Sequence, residues 1–249
     1  MSFTMEKDVE GARVIYDASK KERWIDAFGE TVIKHVLNPG EAVPVDDTTG
    51  DPTGYVMTPI EVGAGTSTVV NSETVGESLL ITTAANEYDG INLQAKNVAF
   101  KCEADKPMYF GIKCIADEAT QNDLLVGMFI KKTDPLNESG THAVNSGAEG
   151  IFFHKIDGGT ILTFKTYKDG VLTNTANYAT ALGVIAAVYE FYWDGTDLKG
   201  YIDNIHVATF TTGMPDTELV PTVNVRAGTA VARTLSVYWM RTIEIRPPA

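Results

Sequence analysis

A glycosidase on a β-sandwich needs two carboxylates facing each other across a sugar bond, roughly 5 to 10 Å apart. One strand can present both through a Glu-x-Asp-x-x-Glu spacing, because alternate residues share a face. The nearest match is Glu103-Ala104-Asp105-Lys106-Pro107-Met108. Met108 stands where the second catalytic carboxylate would be, so Glu103 and Asp105 read as a solvated hairpin end. The four histidines, His35, His142, His154 and His206, are dispersed, unlike the clustered ligands of a zinc site or a nucleophile–base pair. Asp194, Asp197 and Asp203 form the one acidic group with the oxygen chemistry of a Ca²⁺ site. Aspartates at hairpin turns also serve their own backbone, and that is the reading adopted for them. Gly63-Ala64-Gly65 opens no helical run and so lacks the setting of a phosphate loop. The residues therefore predict no catalytic group, no bound cofactor and no metal.

Aromatic residues are the other candidates. Tyr189, Phe191 and Trp193 share one strand face while Glu190 and Tyr192 take the other, and Trp239 shares a face with Val237 and Leu235. Such stripes read as core, although an exposed tyrosine such as Tyr192 or Tyr201 could stack on a sugar ring. Cys102 and Cys114 fall on apolar strand faces and read as reduced packing residues rather than a redox pair.

The elements that would position these residues are strands. From Val98 onward the hydrophobic period is two, with apolar runs at 98–102, 108–114, 124–130, 151–156, 161–167, 188–193, 198–202, 205–210, 220–225 and 235–245. Asp157-Gly158-Gly159, Lys168-Asp169-Gly170, Asp194-Gly195-Thr196-Asp197 and Asp203-Asn204 separate them and supply residues that tolerate positive φ. Many short strands at this spacing predict an all-β antiparallel sandwich. Only 19–28 and 30–37 could make short helical turns. Between Asn38 and Thr66 stand four prolines and five glycines, a density that repeatedly breaks regular structure. The expected division is an extended, irregular N-terminal arm over 1–65 and a jelly-roll sandwich over 66–249. The alternative is that the arm holds the first strands of the same domain.

The chain has 249 residues and a net charge of -13, a field that repels phosphate backbones and anionic lipid surfaces. No nucleic-acid or membrane partner is expected. The first ten residues are polar and of mixed charge, without the basic region and apolar core of a secretory signal, so the chain is expected to be made in a cytoplasm.

Glu190-Phe191-Tyr192-Trp193-Asp194-Gly195 followed by Leu198-Lys199-Gly200-Tyr201-Ile202-Asp203-Asn204 resembles the concanavalin A-like jelly-roll domains of tailed-bacteriophage structural proteins. Thr211-Thr212-Gly213-Met214-Pro215-Asp216, the closing run Val237-Tyr238-Trp239-Met240-Arg241, and the upstream Pro107 to Lys113 and Ala119 to Gly127 extend the similarity over about 68–246. Asn204 replaces the family's usual glycine, a mild change because asparagine tolerates the left-handed region. The metal-binding loop of the lectin branch is not found. The resemblance implies a non-enzymatic virion protein that decorates or cements a capsid, with the major capsid protein and neighbouring virion subunits as partners and a homo-oligomer as a further option. The alternative it implies is a carbohydrate-binding module that adheres to host glycans through residues such as Tyr192 and Tyr201. On the first reading the arm attaches to the capsid through apolar residues, foremost Tyr16, Trp24 and Phe28, by strand addition.

Overall fold

The structure is a computed structural model describing residues 4–18, 20–39, 51–72, 78–97, 99–137, 143–181 and 184–247. Its regular structure is β throughout, with no α-helix among the described residues. One sheet runs in the order β13 (Val171–Ala181), β12 (Ile161–Lys168), β11 (Gly150–Lys155), β10 (Asn122–Phe129), β17 (Val220–Ala227), β8 (Gly90–Ala95) and β5 (Tyr55–Ile60). The second runs β16 (Ile205–Phe210), β15 (Leu198–Ile202), β14 (Ala187–Trp193), β9 (Met108–Ala116), β18 (Thr234–Ile245), β7 (Ser78–Thr82) and β6 (Thr68–Ser72). β4 (Val32–Leu37) joins this second sheet at the far half of β18: β18 pairs with β7 through 234–237 and with β4 through 240–245. A third, three-stranded sheet is made of β1 (Thr4–Val9), β2 (Ala12–Asp17) and β3 (Lys20–Phe28).

The main core lies between the two large sheets. Stacked rings run through it: Phe110 on Phe191 at 5.0 Å, Phe153 on Phe164 at 4.7 Å and Phe164 on Phe210 at 5.2 Å. A side chain at Gly200 would begin 2.5 Å from the Phe164 ring, so only glycine lets that ring lie against β15. The hairpin turns carry the expected backbone, with φ of +52° and +77° at Asp169 and Gly170 and +47° and +70° at Asp203 and Asn204.

Three expectations change. Of the expected helical turns over 19–28 and 30–37, the described residues 20–28 and 30–37 are not helical; they contribute β3 and β4, because β2 and β18 offer backbone partners that short isolated helices lack. The expected division at residue 65 does not follow a sheet boundary, since β4 and β5 lie before it yet are hydrogen-bonded strands of the two large sheets. Trp239 does not share the core face of Val237: the pairing of β18 with β9 shifts register between Val237 and Trp239, and the extra residue turns Trp239 outward while Met240 takes the core position.

Candidate functional site

The outer face of the second sheet carries Tyr109, Glu190, Tyr192, Tyr201, Ile243 and Ile245, and the three-stranded sheet lies on it. Ala12, Val14, Tyr16, Trp24 and Ala27 are buried against Tyr109, Ile243 and Ile245. The Trp24 ring meets Tyr192 edge-on at 5.3 Å. Inside this apolar contact, Arg23 donates two hydrogen bonds to the buried Glu190 carboxylate, which also accepts from the Tyr109 hydroxyl at 2.7 Å. Burial, with Glu190 beside it, pushes the Tyr109 phenol well above its usual range, so it stays a donor. Lys20 lies over the Tyr201 ring at 3.9 Å. Tyr201 is buried and Tyr192 half-buried, so the sequence-predicted stacking pair is already covered by the chain itself. Tyr16 and Trp24, expected to reach for a capsid, are spent on the same internal contact; Phe28 remains 51% exposed beneath the Lys34 ammonium.

The outer face of the first sheet is sealed differently. Asn92, Gln94, Thr222, Asn224 and Arg226 point outward from β8 and β17, and all are buried. Residues 130–137, which follow β10, strap over them. Asn92 Nδ2 donates to Lys132 O at 2.8 Å, Gln94 Nε2 donates to Ile130 O at 3.0 Å, and Gln94 Oε1 accepts from Lys132 N at 2.9 Å. Arg226 pairs with the Asp134 carboxylate and donates to Leu136 O at 2.6 Å. Leu136 and Ala148 then close an apolar patch with Leu125, Phe129 and Phe152.

A groove of about 410 Å³ stays open between β3, β4 and β18, lined by Ile25, Asp26, Lys34, Val36, Asn38, Trp239 and Arg241. Arg241 stacks over Trp239 at 4.3 Å and donates to Ile25 O at 2.7 Å. Lys34 pairs with Asp26 at 2.8 Å. The groove therefore offers an aromatic ring, two cations, a carboxylate and an amide. The sequence singles out none of these as a site residue and places Trp239 in the core; the bulge that turns the ring to the outer face leaves no mark in the pattern.

The remaining sequence candidates serve the backbone. Glu103 lies in the turn before β9, paired with Lys101 and Lys106, whose hydrogen bonds hold its carboxyl at about 2. Asp105 adopts a φ of +62° there, and Met108 is buried. Asp194 accepts the N–H groups of Thr196 and Asp197 at 3.0 and 2.7 Å, and Asp203 accepts from Val188 N at 2.8 Å. Gly63-Ala64-Gly65 leads into β6, with Asn86 donating to Ala64 O at 2.9 Å. His35 packs on Tyr55, His154 on Phe152 and Lys165, and His206 on Tyr201, each in different surroundings. His142 lies outside the described residues. Glu149, Asp169 and Asp216 bring carboxylate oxygens within 4.8 Å of one another, but Glu149 accepts from Thr217 and Asp216 pairs with Lys168. Burial pushes the thiols of Cys102 and Cys114 up, which suits packing rather than reactivity.

This sandwich is similar to the carbohydrate recognition domain of Emp47p, with a TM-score of 0.56 at 10% identity over 83% of this chain and 93% of that one. It is equally similar to a Bacillus licheniformis β-glucanase, with a TM-score of 0.56 at 13% identity over 84% and 97%. A Shewanella oneidensis MR-1 protein of unknown function gives 0.56 at 10% over 89% and 90%. The fold is a concanavalin A-like jelly roll. No family model and no curated protein matches the chain. At such identities the likeness carries fold alone.

Proposed function

We propose that the protein is a non-enzymatic component of a bacteriophage virion surface, decorating or cementing the capsid through contacts with the major capsid protein and neighbouring subunits. One observation supports a structural role above all: the middle of each broad outer face of the sandwich is covered by the chain's own segments, one by the β1–β3 sheet and the other by the strap at 130–137. A glycosidase cleft needs an open face lined by opposed acids, whereas a building block needs rigid faces and usable edges. The sequence resemblance over 68–246 supplies the virion setting. Mass spectrometry of virions purified from the phage that encodes the chain should find it in stoichiometric amount, and its absence from them would overturn the assignment.

The groove beside Trp239 favours a second reading, adhesion to host glycans. Sugar hydroxyls both donate and accept, and Asp26, Asn38, Lys34 and Arg241 supply both partners around an aromatic ring. The similarity to a carbohydrate recognition domain supports it at the level of fold. Titration with a panel of oligosaccharides, followed by tryptophan fluorescence and repeated on Trp239→Ala, tests it: a response lost in the variant supports binding, and none at millimolar saccharide removes it.

A further inference from the structure

An edge strand presents unpaired N–H and C=O groups, and folded proteins blunt such edges by keeping them short, charged, kinked or interrupted by proline. Among the described residues, the sheet edges follow that rule with one exception. β5 has six residues and contains Pro59; β6 has five. β1 has six and carries Glu6, Lys7 and Asp8. β16 has six, and its pairing with β15 shifts register. β13 is an edge of eleven residues, Val-Leu-Thr-Asn-Thr-Ala-Asn-Tyr-Ala-Thr-Ala, with neither a charge nor a proline. Two register shifts against β12 flank a regular run in which Asn174 to Asn177 face Thr166 to Thr163. The side chains of Thr173 and Asn174 hold the segment at Thr212 and Gly213, so the open length begins at Thr175. No backbone hydrogen bond leaves that length on its free side among the described residues.

We propose that β13 is a self-association edge, and that its occupant is β13 of a second copy, paired antiparallel about a two-fold axis so that one sheet runs through both molecules. Two further observations select a copy of this chain over another partner. The chain carries a net charge of -13, so two copies repel over most approaches; β13 and the neighbouring edge β16 contain no acidic residue, so pairing along β13 brings no like charges face to face within the strand itself. Exposed large apolar residues also stand at both ends of the strand, Val171 and Leu172 at its start and Val184 and Ile185 just beyond its end, with Val171 62% and Ile185 76% exposed. Antiparallel pairing about the middle brings the start of one strand to the end of the other, so each apolar pair meets the other across the axis. A two-fold interface has this self-complementarity by construction. The inference is independent of the virion reading.

The test is the solution mass of the full chain by light scattering or sedimentation at roughly 100 µM, where a dimer with a Kd below that would be mostly formed. A dimer is expected. Thr175→Lys/Asn177→Lys places four like charges within the paired stretch and should give a monomer with unchanged circular dichroism and melting. Mixing it with Thr175→Glu/Asn177→Glu should restore a dimer containing one copy of each. A wild-type monomer at that concentration would overturn the proposal. So would a dimer that survives the lysine variant, because its interface would lie elsewhere.

Discussion

The cover on the second sheet is apolar and comes from far away in the chain, whereas the strap on the first sheet is polar at its centre and leaves and re-enters the sheet it covers. Arg23 reaches Glu190 across 167 residues of sequence; Gln94 and Asn92 reach Ile130 and Lys132 across 36 and 40. The difference predicts how each cover fails. A sheet docked by one buried apolar cluster around the Arg23–Glu190 pair should stay in place until the whole fold opens. A strap whose first part is held by separate hydrogen bonds from Asn92 and Gln94, each worth about 1 kcal/mol, should loosen there before the part anchored by the Arg226–Asp134 pair and Leu136.

The largest expected effect is therefore Trp24→Ala, which empties a fully buried site between the two sheets and should cost about 3 to 5 kcal/mol in denaturant titration. Trp193→Ala should cost about the same, because that ring is buried and its indole N–H donates to Glu103 O. Glu190→Gln keeps the shape but strips the charge facing Arg23. Because Arg23 retains some solvent contact, the cost should be about 2 to 3 kcal/mol, below that of a wholly buried pair. Gln94→Ala should cost about 1 to 2 kcal/mol and should raise proteolysis in the strap without touching β3. Trp239→Ala is the smallest, about 1 kcal/mol or less; a loss as large as that of Trp193→Ala would place Trp239 back in the core.

What the sequence made legible follows the same divide. Strands with period-two hydrophobicity between turn residues, from β9 to β12 and from β14 to β18, could be read because half of each strand is buried and its local turns demand particular residues. β13 escaped, since an edge strand of threonine, asparagine and alanine has no hydrophobic alternation to read. In sequence β3 reads as a possible helical turn, since Lys20-Lys21-Glu22-Arg23-Trp24 shows its strand character only once β2 and the face of Glu190 are in place. The tyrosines at 192 and 201 looked available for the same reason: sequence assigns a residue to a face, but whether a distant segment covers that face is a tertiary fact. Both covers are invisible in the sequence for this reason, and with them the loss of Tyr192 and Tyr201 as free stacking surfaces.

Hydrogen–deuterium exchange of the full chain tests the central claim, that β1 to β3 are an integral cover and not a loose arm. If Trp24, Tyr16 and the Arg23–Glu190 pair dock the three-stranded sheet as described, amides of β2 and β3 should be protected for as long as those of β9 and β18, through opening of the whole molecule. Exchange of β2 and β3 within seconds, while β9 and β18 stay protected, would contradict it and return residues 4–28 to the extended arm that the sequence first suggested.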